Sequence, residues 1–132
     1  MFRSFNRCIL IVLLSVPLHA AEIEYRSIAS LDSVKAAAAE DVINPDGHSR
    51  ITGRISLVGS GPGVRPVLTT FDGRLLYLEL DDAGCEAAIA HQYRYAQMTG
   101  TVRTIRLLLA DSTESSPDLL LKPATIILYV IP

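Results

Sequence analysis

The sequence predicts a mainly β domain: a five-stranded Greek-key barrel with an N-terminal helix and a short helix between its third and fourth strands. Three observations predict it. The stretch VLTTFDGRLLYLEL, residues 67–80, sets two runs of strand-forming residues around an Asp72-Gly73 pair, the strongest short-range signal of a β-hairpin. Apolar residues recur with a period of two from Arg50 onward. Gly53 and Gly100 lie inside strand-like segments, where a strand that curls around a small barrel needs a bend or bulge. A mixed α+β meander of the same elements is the alternative architecture.

The elements follow in order. Residues 1–20, MFRSFNRCILIVLLSVPLHA, set Arg3 and Arg7 before a short apolar run that ends at Pro17 and Ala20. This is the pattern of a secretory signal peptide, and the run is shorter than the roughly 20 apolar residues that span a bilayer. Cleavage after Ala20 is expected, leaving residues 21–132 as one domain in the periplasm or outside the cell, with no membrane span. Cys8 leaves with the leader, so Cys85 stays alone in a compartment that favours disulfides. It reads as a small buried apolar residue at the start of a helix, with an intermolecular disulfide or an activated thiol as the sharper alternative.

Ser30 is placed to cap a helix over residues 31–43, where Leu31, Val34, Ala38 and Val42 recur at helical spacing. Asn44-Pro45-Asp46-Gly47 stops it, with Gly47 free to take positive φ. In the first barrel strand Ile51, Gly53, Ile55 and Leu57 share one face, and Arg50, Thr52, Arg54 and Ser56 the wet one. After the loop GSGPGVRP, a two-residue Asp72-Gly73 turn pairs Thr70 with Leu75 and Leu68 with Tyr77. That register sends Val67, Thr69, Phe71, Leu76, Leu78 and Leu80 to the core and leaves Leu68, Thr70, Leu75, Tyr77 and Glu79 outside. Asp81-Asp82-Ala83-Gly84 ends the strand, CEAAIAHQY is a short helix, and RYAQMTGTVRTIRLLLA is a strand. A polar loop, DSTESSPD, precedes a last strand that Pro123 places at an edge or a bulge. Five strands with a helix between the third and fourth is the layout of an OB-fold.

The residues also resemble a family, the small periplasmic bacterial OB-fold (BOF-like) proteins. SLDSVKAAAAEDV followed by SRITGRISLV is similar to that family's helix and first strand, TTFDGRLLYLEL to its second and third strands, and MTGTV to its fourth. The resemblance implies a role in stress tolerance and the binding of small charged ligands. The Gly/Pro-rich first loop, the long DSTESSPD loop and the very aliphatic last strand depart from the family pattern.

Function is read from what the residues offer. The net charge is −2 and becomes more negative once Arg3 and Arg7 are removed, which argues against nucleic acid as the partner, since phosphate binding rests on a positive footprint. GSGPGVR is followed by a strand where a phosphate loop needs a helix. His48 and His91 have no histidine or cysteine at ligand spacing, so no metal and no cofactor is expected. There is no G-x-S-x-G elbow, and the acidic pairs Glu40-Asp41 and Asp81-Asp82 sit at element ends that are ordinarily solvated, so the reading is not an enzyme. What remains is the outward face of the hairpin, the surface OB-folds commonly use. There Leu68, Leu75 and Tyr77, flanked by Arg65 and Arg74, form the candidate ligand-binding site for a small ligand or an oligosaccharide. Its competitor is burial of that face under the N-terminal helix. The alternative function is an interaction subunit that docks on a protein of the cell envelope, and the oligomeric state is left open.

Overall fold

The computed structural model describes residues 21–59, 64–106 and 118–132. Eight elements follow one another: β1 (Glu22–Ser27), α1 (Leu31–Ala38), β2 (Gly47–Val58), β3 (Arg65–Thr70), β4 (Leu75–Leu78), α2 (Asp82–Ala90), β5 (Tyr95–Ile105) and β6 (Asp118–Val130). The sheet order is β1-β6-β4-β3-β2-β5, and β5 also pairs with β6. The strands β2 to β6 therefore close into a five-stranded barrel, with β4 and β6 parallel and the other barrel pairs antiparallel. With α2 between its third and fourth strands, the protein is an OB-fold-like barrel, as its sequence predicts.

The two glycines act where strands press together. A Cβ at Gly53 would run into the carbonyl of Thr69, and one at Gly100 into the carbonyl of Lys122, so only glycine lets the backbones approach this closely. Opposite Gly100 the register slips: Gly100 pairs with Pro123 while Thr99 pairs with Thr125. This is a bulge that takes up a proline unable to donate to the ladder.

Inside the barrel Ile51, Ile55, Leu68, Leu76, Ala96, Met98, Val102, Leu121 and Leu128 form one core, joined by Ala88 from α2. Each of the Ile, Leu, Val and Met side chains among them stabilises the fold by about 1.5–3 kcal/mol when fully removed from water. Asp81 caps α2 by accepting from the Gly84 amide at 2.7 Å.

Three expectations need correction. The first concerns β1, which lies parallel to the end of β6 and was not anticipated; it precedes the helix and is exposed along its whole length. The second concerns α1, which starts as expected, with Ser30 accepting from Ser33, but ends at Ala38 and not near Ile43. Val42 instead exchanges hydrogen bonds with Arg50 at 2.8 and 2.9 Å, so the residues after the helix become strand-like. In the turn that follows, Asp46 and not Gly47 takes the positive φ, 62°, while its carboxylate accepts from the Thr104 amide at 3.1 Å.

The third is the hairpin register. Thr69 pairs with Leu75, Leu68 with Leu76 and Val67 with Tyr77, one residue out from the two-residue turn. Thr70 and Arg74 close the loop instead: the Thr70 amide donates to the Arg74 carbonyl at 2.9 Å, and the Arg74 amide donates to the Thr70 hydroxyl at 2.9 Å. Phe71, Asp72 and Gly73 form a three-residue tip, with the Gly73 amide on the Thr70 carbonyl at 3.1 Å and φ of 91° at Gly73. The Thr70 hydroxyl also donates to the Asp72 carboxylate, which favours this tip over a two-residue turn. A one-residue slip reverses a strand's faces. Leu68 of β3 accordingly joins the core, while Thr69 and the fully buried Val67 lie on the opposite face.

Cys85 keeps its reading as a residue at the start of a helix. It is a free, half-buried thiol in the first turns of α2. Desolvation first, then the carboxylates of Asp82 and Asp81, push its pKa up, which is the opposite of thiol activation.

Candidate functional site

The five residues singled out in the sequence do not form one site. Leu68 is 0% exposed and belongs to the barrel core, because the hairpin slip turns it inward. Arg65 opens β3, paired with Val58, and Arg74 sits beyond the other end of that strand, so the two arginines mark opposite ends of the hairpin. Leu75, 38% exposed, and half-buried Tyr77 do face outward, opposite Thr69 and Val67. The loop GSGPGVR lies mostly outside the described residues, as does DSTESSPD. The helix α1 meets β2, and Leu75 on the outward face of the hairpin stays 38% exposed.

What α1 does is wall a cleft at the tip end of the same outward surface. The cleft holds about 400 Å³ and is lined by Lys35, Ala38, Ala39, Asp41 and Ile43 on one side and by Thr52, Thr70, Phe71, Asp72 and Arg74 on the other. Its position follows from local structure. The register that pairs Gly53 with Thr70 brings Thr52 beside Phe71, and the tight exit of α1 drops Asp41 onto Thr52.

Asp41 is the anchor of this arrangement. Its carboxylate accepts the Thr52 backbone amide at 2.6 Å and the Thr52 hydroxyl at 2.9 Å. Thr52 is on the outward side of β2 yet fully buried, because this linker covers it. Desolvation raises the Asp41 pKa above the usual carboxylate value, against the opposing pull of the Thr52 hydrogen bonds and of Arg50; the nearby Asp72 raises it further. Asp72, open to water, moves the other way, chiefly through the hydrogen bond from Thr70. The two carboxylates thus face one cleft with separated proton affinities.

The opposite wall is aromatic and basic. Phe71, 39% exposed, stacks in parallel on Tyr95 with centroids 5.5 Å apart, which holds the ring in place. The Lys35 ammonium lies 6.0 Å from the Phe71 centroid, at the edge of cation–π range. The Arg74 guanidinium stands 3.7 Å from Asp72, with more than half of its side chain in water. An ion pair so exposed contributes little stability and leaves both groups accessible. The cleft therefore combines a fixed aromatic ring, two cationic groups, two carboxylates and two hydroxyls.

The other chemistry-bearing residues stay apart. Among the described residues no three of His, Cys, Asp and Glu could hold a metal together, and none of their helices is long and apolar enough to cross a membrane. His91 contacts Tyr25, with Nε2 3.1 Å from the phenol oxygen, and His48 is exposed on β2. Sequence reasoning missed Lys35, Asp41, Thr52, Phe71 and Asp72 as a group. The Thr-x-Asp order at 70–72 was a local signal for the tip, but nothing local joins it to Asp41.

The fold and the cleft together define the class: an OB-fold-like barrel with a side cleft walled by its N-terminal helix. No family model matches the chain, and no curated protein matches it. Among solved structures it is similar to the aspartyl tRNA synthetase from Entamoeba histolytica, at 12% identity and a TM-score of 0.45, over 89% of this chain and 28% of that one. The chain spans less than a third of that enzyme's chain.

Proposed function

We propose that this protein is a non-catalytic binding module of the periplasm or the extracellular space, and that it holds a small polar ligand, an acidic oligosaccharide by chemistry, in the cleft between α1 and the hairpin tip. The observation that carries the reading is the convergence of Phe71, Lys35, Arg74 and Asp41 on a cavity of about 400 Å³, a volume within the range of small-molecule sites. A flat ring suits the apolar face of a sugar. Lys35 and Arg74 suit its carboxylate, and the carboxylates of Asp41 and Asp72 suit its hydroxyls. The leader-like residues 1–20 support export, and the resemblance to small periplasmic OB-fold proteins is in keeping with a charged ligand.

Calorimetric titration with a galacturonate trisaccharide and its neutral galactose counterpart tests the reading. The acidic sugar is expected to bind and the neutral one to bind at least about tenfold more weakly, the loss of one charge-assisted contact. Phe71→Ala and Arg74→Ala are expected to abolish the heat of binding. Equal binding of the two sugars, or no binding of either, overturns the proposed ligand class.

A second reading, an interaction subunit of the cell envelope, is favoured by one observation: Tyr25, Ile89 and Tyr93 are large apolar residues more than half exposed. Tyr93 also holds a positive φ of 71° with its ring open to solvent and the Arg54 guanidinium 5.5 Å above it. Gentle crosslinking followed by mass identification of the attached protein tests this reading, and a sample containing no second protein counts against it.

A further inference from the structure

We infer that β1 is the pairing edge for a second copy of this chain, joined antiparallel about a two-fold axis that passes through Tyr25. This inference does not depend on the cleft, whose lining includes no residue of β1. Among the described residues β1 pairs with β6 along one side only, and its other side carries no ladder. It is held on the barrel by its ladder to β6, by the contact of Tyr25 with His91 and by the Ile28 amide, which donates to the Val130 carbonyl at 3.0 Å.

That last bond fixes which backbone groups are open. In a parallel ladder alternate residues turn both N–H and C=O toward the partner. Since Ile28 donates to β6, Arg26 and Glu24 also face β6, and Ile23, Tyr25 and Ser27 turn their amides and carbonyls outward. An antiparallel copy must match outward residues with outward residues, which leaves only a few registers. Centring the axis on Arg26 sets the two Arg26 side chains opposite each other, and centring it on Glu24 sets the two Glu24 side chains opposite each other while Arg26 meets Glu22, so each of these registers carries a like-charge pair, which is destabilising. Centring it on Tyr25 sets Glu24 against Arg26 of the second copy, twice over.

The same register makes Tyr25 a hydrogen-bonded pair with its own copy and Ile23 one with Ser27, giving about six hydrogen bonds between chains. It also makes the two Glu24 and Arg26 pairs non-hydrogen-bonded, the positions where opposed side chains come closest. Charged residues on an edge strand ordinarily discourage pairing. Here their alternation of sign leaves the Tyr25 register without a like-charge pair, while each neighbouring register carries one. Glu24 and Arg26 already pair within one chain at 2.8 Å, with both side chains about half exposed, so exchange between chains needs little rearrangement.

An edge of six residues gives an interface at the small end of the usual range, so the association is weak and depends on concentration. Analytical ultracentrifugation of the purified protein across a wide concentration series tests it. The unaltered chain is expected to pass from monomer to dimer. Glu24→Arg alone and Arg26→Glu alone are each expected to raise the dissociation constant at least about tenfold. An equimolar mixture of those two variants is expected to recover dimers, because each then meets its opposite charge. Tyr25→Pro removes an outward amide while sparing the ladder to β6, and is expected to be monomeric with an unchanged circular dichroism spectrum. A monomer at every concentration overturns the inference, as does a dimer that survives all three substitutions or a mixture of charge variants that stays monomeric.

Discussion

The Asp41 carboxylate holds Thr52 at two points, its backbone amide at 2.6 Å and its hydroxyl at 2.9 Å. This relationship ends the helix, covers an outward residue of the barrel and builds one wall of the cleft. Replacing Asp41 by Ala leaves the Thr52 donors without their acceptor. Leaving a buried donor unsatisfied costs about 1–3 kcal/mol, so urea unfolding is expected to show a loss of that order. A loss below about 0.5 kcal/mol would mean that the clamp does not hold α1 to β2.

Titration separates the two acids of the cleft. Asp41 is raised above its ordinary value of 3.8 by desolvation, and Asp72 is lowered below it by the Thr70 hydrogen bond. As the pH falls, carboxyl carbon shifts in an NMR titration are expected to report protonation of Asp41 first and of Asp72 last. The linkage signs are opposite. The Asp41 contribution is fully present below pH 3.8 and is lost as the pH rises through its raised value. The Asp72 contribution is present above pH 3.8 and is lost as the pH falls through its lowered value. Simultaneous titration of the two would remove the asymmetry.

The hairpin register has a direct mutational signature. Leu68→Ala empties a fully buried core position and is expected to cost about 2–5 kcal/mol. Leu75→Ala on the outward face is expected to stay within about 0.5 kcal/mol of the parent. Equilibrium unfolding in urea checks both. Equal costs would point back to a two-residue turn with Leu68 outside.

Gly53 and Gly100 are expected to reject a methyl group. In each case the added carbon meets backbone, Thr69 or Lys122, which cannot swing aside as a side chain does. Gly53→Ala and Gly100→Ala are each expected to cost about 3 kcal/mol, the upper end of ordinary overpacking, seen as a fall in melting temperature. A neutral result at either site would mean that the barrel relaxes there at little cost.

These same residues show what the sequence made legible. Gly53, Gly100 and Pro123 carry a backbone demand in their own chemistry, so the barrel's bends and its bulge could be placed from them. Ser30 announced the helix start in the same way. The helix end could not be read, because four alanines favour continuing while Asp41 is claimed by Thr52 across the fold. The register failed for a similar reason: Asp72-Gly73 favours a two-residue turn locally, and the Thr70 hydroxyl shifts it by one. The segment EIEYRS alternates in period two, which was a usable signal for β1, but it is short and lies between the leader and a strong helix. The cleft was the least legible feature, since its walls come from segments with no local relation.

The proposal that the cleft holds a small polar ligand is tested most directly by native mass spectrometry of the protein purified gently from its host, beside the same sample denatured. An added mass of a few hundred daltons, about that of one to three sugar units filling such a cavity, is expected in the native spectrum. It should be lost on denaturation and absent from Phe71→Ala purified in the same way. A native spectrum of bare protein, or an added mass that persists in Phe71→Ala, would contradict the assignment of the cleft.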